Sequence, residues 1–436
     1  MNRLFKLLFI ISAVIAVSSC RPEYGRAPLP TVSCAFITKL PDGLTELSVL
    51  SEEVHLTNKA TGVDTRYNSL DSVAASVGLY DISYIVECTF TLHGAQMRGR
   101  LASQLADVVL TEQKDNKAVQ LPLTLRLVPQ VEDFVIQEIY FTGTLTPAGK
   151  QYHGDNYVVL YNGTDHVLYA DGIAFCESRF VSTMKFDYKP DIRHEAMAVE
   201  AVYVVPGTGK EVAVPPGGRL ILCDTGIDHK TNNPNSFDLS KANFEWYDVS
   251  TVPAHQDFDS PLVPNLDKWY CYTKSFFILH NRGFRSYIIA RVPIDKESYL
   301  KDYVYKFTWV LTHAGVSYDM SGSCYKIPND WILDGVNCSV EANIQWIILP
   351  ETIDAGYTNC GKADHQKDRY FHSVRRKFLG LDALGNPILQ DTNNSTEDFN
   401  PMVTPALVEE QGAAIDANGT PCSTKTYDGV IPMVAK

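Results

Sequence analysis

The chain is written almost entirely in short runs of β-branched and aromatic residues, each closed by Gly, Pro, Asn or Asp, and few stretches carry a helical period. Runs of this kind form strands, and the residues that close them tolerate the backbone angles of tight turns. An all-β fold of the sandwich kind follows, because no repeat of fixed period marks a solenoid or a propeller. Between 31 and 128, the runs Leu47 to Leu50, Val54 to Asn58, Tyr80 to Val86 and Leu121 to Leu127 read as members of about seven strands. The pattern restarts near Pro129 to Asp133, where Phe134 to Gly143 alternates apolar and polar positions before a Gly turn. The division predicted is a first sandwich over 31–130, a larger second one over 131–410, and an extension over 411–436.

With 45% hydrophobic residues in 436, the chain can build two or three cores. The formal charge of −13 becomes −15 once Arg3 and Lys6 are removed with a leader. That balance argues against nucleic acid and against electrostatic binding to anionic lipid. It says nothing about neutral ligands.

The leader is residues 1–19. Arg3 and Lys6 precede the apolar run Leu7 to Ala16, which is too short to span a bilayer. Val17-Ser18-Ser19-Cys20 resembles the lipobox of bacterial lipoproteins, which implies lipidation at Cys20. Several acyl chains on one cysteine hold a protein at a membrane, at about 0.8 kcal/mol per buried methylene. The Pro-rich stretch 20–30 reads as an extended tether. The implied place is the outer membrane, lipid-anchored and facing the cell exterior.

Removing Cys20 from ten cysteines leaves nine, an odd number without Cys-x-x-Cys spacing, so spacing gives no support to a structural zinc site. An oxidising compartment permits disulfides, and Cys324 with Cys338, or Cys34 with Cys88, are the pairs to test first. Buried free thiols are the competing expectation.

Val54 to Gly62, followed by Val77 to Ile82, resembles a prealbumin-like module. Ile136-Gln137-Glu138-Ile139, Leu160-Tyr161-Asn162 and Asp171-Gly172 fall in the order of the opening strands of a lamin-tail domain, an Ig-like sandwich. Pro215-Pro216-Gly217-Gly218, Phe276 to Gly283 and Asp391 to Phe399 continue that likeness. The second sandwich exceeds an ordinary lamin-tail domain, so the expected insertions are 177–213, 224–275 and 284–370. Together these features resemble a lipoprotein family of the Bacteroidetes with no assigned activity, associated with TonB-dependent outer-membrane transporters. The resemblance implies such a transporter as partner and supplies no catalytic or ligand residue.

The insertions carry the candidate site residues. Trp246, Trp269 and Tyr270 are predicted to line a ligand pocket, because aromatic faces stack on sugars and flat ligands. The competing reading makes them anchors of the insertions. Asp391, Asn393 and Asp398 form a weak calcium candidate, but a turn is the favoured reading, because Thr396 and Met402 stand where an EF-hand loop wants Gly and Glu. His365 and His372, among Asp364, Asp368, Arg375 and Arg376, read as a solvated loop rather than a metal or anion site. Asp71-Ser72-Val73 resembles an O-glycosylation acceptor of Bacteroidetes envelope proteins.

No Gly-x-Ser-x-Gly elbow, His-Glu-x-x-His helix or phosphate loop is present, so the expectation is no enzyme and no cofactor. The main expectation is a ligand-binding accessory of a TonB-dependent transporter. A structural or adhesive surface protein is the alternative, and a hydrolase comes last.

Overall fold

The computed structural model describes residues 28–412 apart from 42, 93, 94, 129, 130, 274 and 383. The leader, Cys20 and nearly all of the extension 411–436 lie outside the described residues. The fold is all-β: strands dominate and the helices are short. Among the described residues no helix is long and apolar enough to cross a membrane.

The chain divides into two compact units. Among the described residues, one contains the chain up to Thr38 with Glu53–Tyr84 and Gln104–Leu123, and the other contains Lys39–Glu52, Ile85–Ser103 and the chain from Thr124. The long strands Leu44–Asn58, Gly78–Leu92 and Ala95–Leu110 each contribute residues to both. They belong to a five-stranded sheet in the order Asp64–Tyr67, Leu44–Asn58, Gly78–Leu92, Ala95–Leu110, Arg126–Val128. A three-stranded sheet orders Ala74–Ser76, Thr31–Lys39 and Val119–Thr124. Burial here has period two: Tyr80, Ile82, Tyr84, Val86, Cys88 and Phe90 are buried, and the residues between them are partly exposed. This is the mark of an antiparallel sheet with one face in the core and the other in water.

From Phe134 onward two larger sheets stack. One runs in the order Phe244–Glu245, Arg219–Cys223, Tyr157–Tyr161, Val135–Tyr140, Ser373–Arg376, Phe399–Val403. The other runs Val304–His313, Val316–Pro328, Ala196–Val204, Ile173–Ser178, Ser286–Arg291, Ile332–Asn337, with Asp267–Cys271 also pairing to Ala196–Val204. Alternate residues of both sheets meet in one core: Ile136, Val158, Leu160 and Leu222 face Phe175, Tyr203, Tyr287 and Ile289. Gly217 at the entry to Arg219–Cys223 has φ +72, and a Cβ there would stand 2.3 Å from Asn386 Oδ1. Only glycine meets both conditions.

The outer faces of both sheets are covered as well. Tyr140, Tyr157, Val159 and Cys223 point away from the central core and pack under Phe237, Leu239, Leu407 and Val408. On the other sheet, Cys176, Val202, Val204, Ile288 and Ile327 pack under Tyr299 and Leu349. Tyr299 belongs to helix Lys296–Asp302, whose N-cap Asp295 accepts from Ser298 N. Helix Ala406–Gln411 is held by a bidentate pair between Arg219 and Glu410, at 2.6 and 3.1 Å, and by Ala406 N donating to the buried Glu138 carboxylate. As a result all nine residues of Ala196–Val204 are buried.

The eight described cysteines are free, so neither Cys324–Cys338 nor Cys34–Cys88 is bridged. Cys324 sits with Tyr305 and Phe307, whereas Cys338 lies in the core between the sheets. Burial pushes the thiols of Cys34 and Cys338 up, so both stay protonated and behave as small apolar side chains.

Candidate binding cleft

A cleft of about 710 Å³ opens where three segments of the second region converge: 180–194, the start of the Val304–His313 strand, and 345–351. Five aromatic rings line it: Phe180, Phe186, Tyr188, Tyr305 and Trp346. Phe180 and Tyr188 stack with centroids 3.9 Å apart, and Phe307 meets Phe180 edge-on at 5.2 Å. Trp309 extends the cluster, 5.9 Å from Tyr188 and 6.2 Å from Phe186. Such ring pairs contribute about 0.5–1.5 kcal/mol each beyond their burial.

Hydrogen bonds join the walls. Gln345 N and Trp346 N donate to Ser182 O, at 2.9 and 3.3 Å, and Trp346 Nε1 donates to Val181 O at 2.9 Å. Lys185 N donates to Gln345 Oε1 at 3.0 Å. Ser182 N donates to Phe284 O, which fixes the first segment to the turn before strand Ser286–Arg291. Lys189 and Thr308 exchange two backbone hydrogen bonds of 2.9 Å, and Tyr305 OH donates to Pro190 O at 2.6 Å. Arg193 spans to the third segment, donating to Ile348 O at 3.3 Å, Leu349 O at 2.7 Å and Glu351 Oε1 at 3.1 Å. The cleft is therefore built before any ligand arrives, which lowers the ordering cost of binding.

The rim is polar. Lys185 Nζ lies 5.9 Å over the Trp346 ring. Asp187 pairs with Lys189 at 2.8 Å, and the rim continues through Asp191, His194 and Gln345. Burial raises the phenols of Tyr188 and of Tyr305, the latter to about 12, so both remain protonated hydroxyls at neutral pH. A backbone hydrogen bond and then Arg193 lower the Glu351 carboxyl, which stays ionised.

The residues singled out in the sequence lie elsewhere. Trp246 is fully buried in the core between the sheets, stacked at 6.0 Å on Phe175. Trp269 and Tyr270 pack on the opposite, outer face of the seven-stranded sheet, against Tyr299 at 5.5 Å and Tyr325 at 4.5 Å. The structure does not bring the three into one pocket. They anchor the insertions, because a sheet with both faces covered needs large apolar groups on each side.

Asp391 and Asp398 are occupied by a cation of the protein itself. The buried Arg376 guanidinium stands 3.0 Å from Asp391 and 3.7 Å from Asp398, and also binds Asp334 at 2.5 Å. Asp398 further accepts from Thr392 N and Asn394 N, and Asn393 holds the turn with φ +56. Among the described residues no group of three or more His, Cys, Asp or Glu side chains is arranged to hold a metal ion. His365 is exposed beside the Arg282–Asp364 pair, and His372 Nδ1 lies 2.8 Å from Tyr370 O.

Sequence reasoning passed over Phe180, Phe186, Tyr188 and Trp346. The available signal was the alternation of Phe186, Tyr188 and Pro190 in the strandless stretch between Ile173–Ser178 and Ala196–Val204.

Among curated proteins none matches the chain. Solved structures do. The chain shares a fold with a DUF4876 family protein from Bacteroides thetaiotaomicron at 22% identity and a TM-score of 0.57, covering 87% of this chain and 96% of that one. A candidate adhesin from Bacteroides ovatus matches at 9% identity and TM-score 0.18 over 68% of this chain and 83% of that one. A candidate cell adhesion protein from Bacteroides eggerthii matches at 8% and 0.16, over 69% and 80%. Residues 215–406, which include two of the three cleft segments, match the family described as protein of unknown function (DUF4876).

Proposed function

We propose that this protein is a lipid-anchored cell-surface protein, adhesive in role, that recognises its ligand in the aromatic cleft and does no chemistry on it. The observation that carries the reading is the cleft: about 710 Å³, lined by five rings and assembled by hydrogen bonds between segments remote in sequence. Binding sites have this combination of concavity, apolar lining and a few placed polar groups. The lipobox-like Cys20 supports a place at the envelope, and a prealbumin-like first module with a lamin-tail-like second one belongs to the same proposal.

The test compares cells displaying equal amounts of wild type, Phe186→Ala or Lys185→Ala for attachment to polysaccharide- and glycoprotein-coated surfaces. Attachment should fall in both variants, and unchanged attachment contradicts the reading. Cys20→Ala should release the protein from the membrane fraction.

The same cleft favours a second reading, in which a captured ligand is handed to a TonB-dependent transporter. Affinity purification of the lipidated protein from detergent-solubilised outer membranes decides between them. A stoichiometric transporter supports hand-over, and its absence where such complexes otherwise survive leaves adhesion.

A further inference from the structure

We infer that the ligand is a neutral oligosaccharide, a step that rests on the cleft being the recognition site. Three features of the cleft point there. Its rings offer apolar faces, and the C–H face of a pyranose is a flat apolar surface that packs on such rings. Its rim offers planar or flexible hydrogen-bonding groups in Lys185, Asp187, Asp191, His194 and Gln345, which suit the alternating donors and acceptors of ring hydroxyls.

The third feature is charge. Asp187 is paired with Lys189, and Arg193 is committed to two carbonyls and to Glu351. The rim therefore mixes both signs, with Lys185 and Arg193 set among Asp187, Asp191 and Glu351, and presents no patch of one sign that would select a phosphate, a uronate or a polybasic segment. An anionic ligand would meet Asp187, Asp191 and Glu351, and a cationic one would meet Lys185 and Arg193. At about 710 Å³ the cleft lies in the range of roughly 300–1,000 Å³ typical of small-molecule sites, which admits more than one sugar ring.

The experiment titrates purified protein calorimetrically with hexasaccharides of neutral hexoses and pentoses (cello-, malto-, manno-, laminari- and xylohexaose) and with hexagalacturonate. At least one neutral hexasaccharide should bind, more tightly than hexagalacturonate. Its affinity should fall roughly tenfold or more in Phe186→Ala and measurably in Lys185→Ala. Tyr318→Ser, on an exposed part of the neighbouring hairpin, should bind as wild type does. Unaltered melting of Lys185→Ala, a surface change, guards against a folding artefact. Binding of hexagalacturonate alone, binding of none, or neutral binding untouched by both cleft variants overturns the inference. If the cleft variants still lose surface attachment, the ligand class is wrong and the cleft remains the recognition site. If they attach normally, the recognition reading falls as well.

Discussion

Two strands of this molecule contrast sharply. In Gly78–Leu92 buried and partly exposed residues alternate from Tyr80 to Phe90, so one face of the sheet is wet. In Ala196–Val204 every residue is buried, although this strand also pairs antiparallel with its neighbours. The difference is made by the insertions. Tyr299 and Leu349 cover one outer face of the larger sandwich, and Phe237 and Leu239 cover the other with the closing helix. Long connections between strands here serve first as a second hydrophobic layer. Where two of them meet the edge strand Val304–His313, they leave a concave, aromatic surface open.

The contrast can be broken or sharpened by substitution. The largest effect is expected at Trp246: replacement by Ala should cost about 3–5 kcal/mol, read from the urea midpoint, because it empties the centre of the core. A near-neutral result would mean that Trp246 is not a core residue. Leu239→Ala, in the layer over the six-stranded sheet, should cost about 2–5 kcal/mol. A cost near zero would show that the covering layer is dispensable and the comparison mistaken.

A smaller effect is expected with pH. Burial, reinforced by Glu200 and opposed by Arg285, raises the Glu177 carboxyl from 4.5 to about 8. The folded state then holds a proton that the unfolded state has lost. Stability from this group is complete below about pH 4.5 and declines as pH rises through 8. Glu177→Gln should flatten the decline, and an unchanged pH profile would contradict the assignment. The smallest effect is expected on a wet face: Val109→Ser, at a position 62% exposed, should change stability by no more than about 0.5 kcal/mol.

Much of the architecture was legible in the residues. The alternation from Tyr80 to Val86, the strand at Val135–Tyr140 and the Gly-Gly entry before Arg219 all appear as strands or turns. The uses of the insertions were not legible. An aromatic residue in an insertion reads the same whether it covers a sheet or lines a pocket, and Trp246, Trp269 and Tyr270 cover sheets. The cleft escaped for a related reason: Arg193 and Ile348, which join its walls, are 155 residues apart. The oxygen-rich run at Asp391 to Asp398 is the turn its residues favour, but its counter-ion, Arg376 on the strand Ser373–Arg376, was not legible from the run itself.

Hydrogen exchange of the native protein, with and without a saturating neutral hexasaccharide that binds it, tests the central claim most directly. Protection is predicted in peptides covering 180–194 and 345–351, with the strand start at 304–309. Protection confined to peptides covering Trp246, Trp269 and Tyr270, or spread evenly over the sandwich, would contradict it.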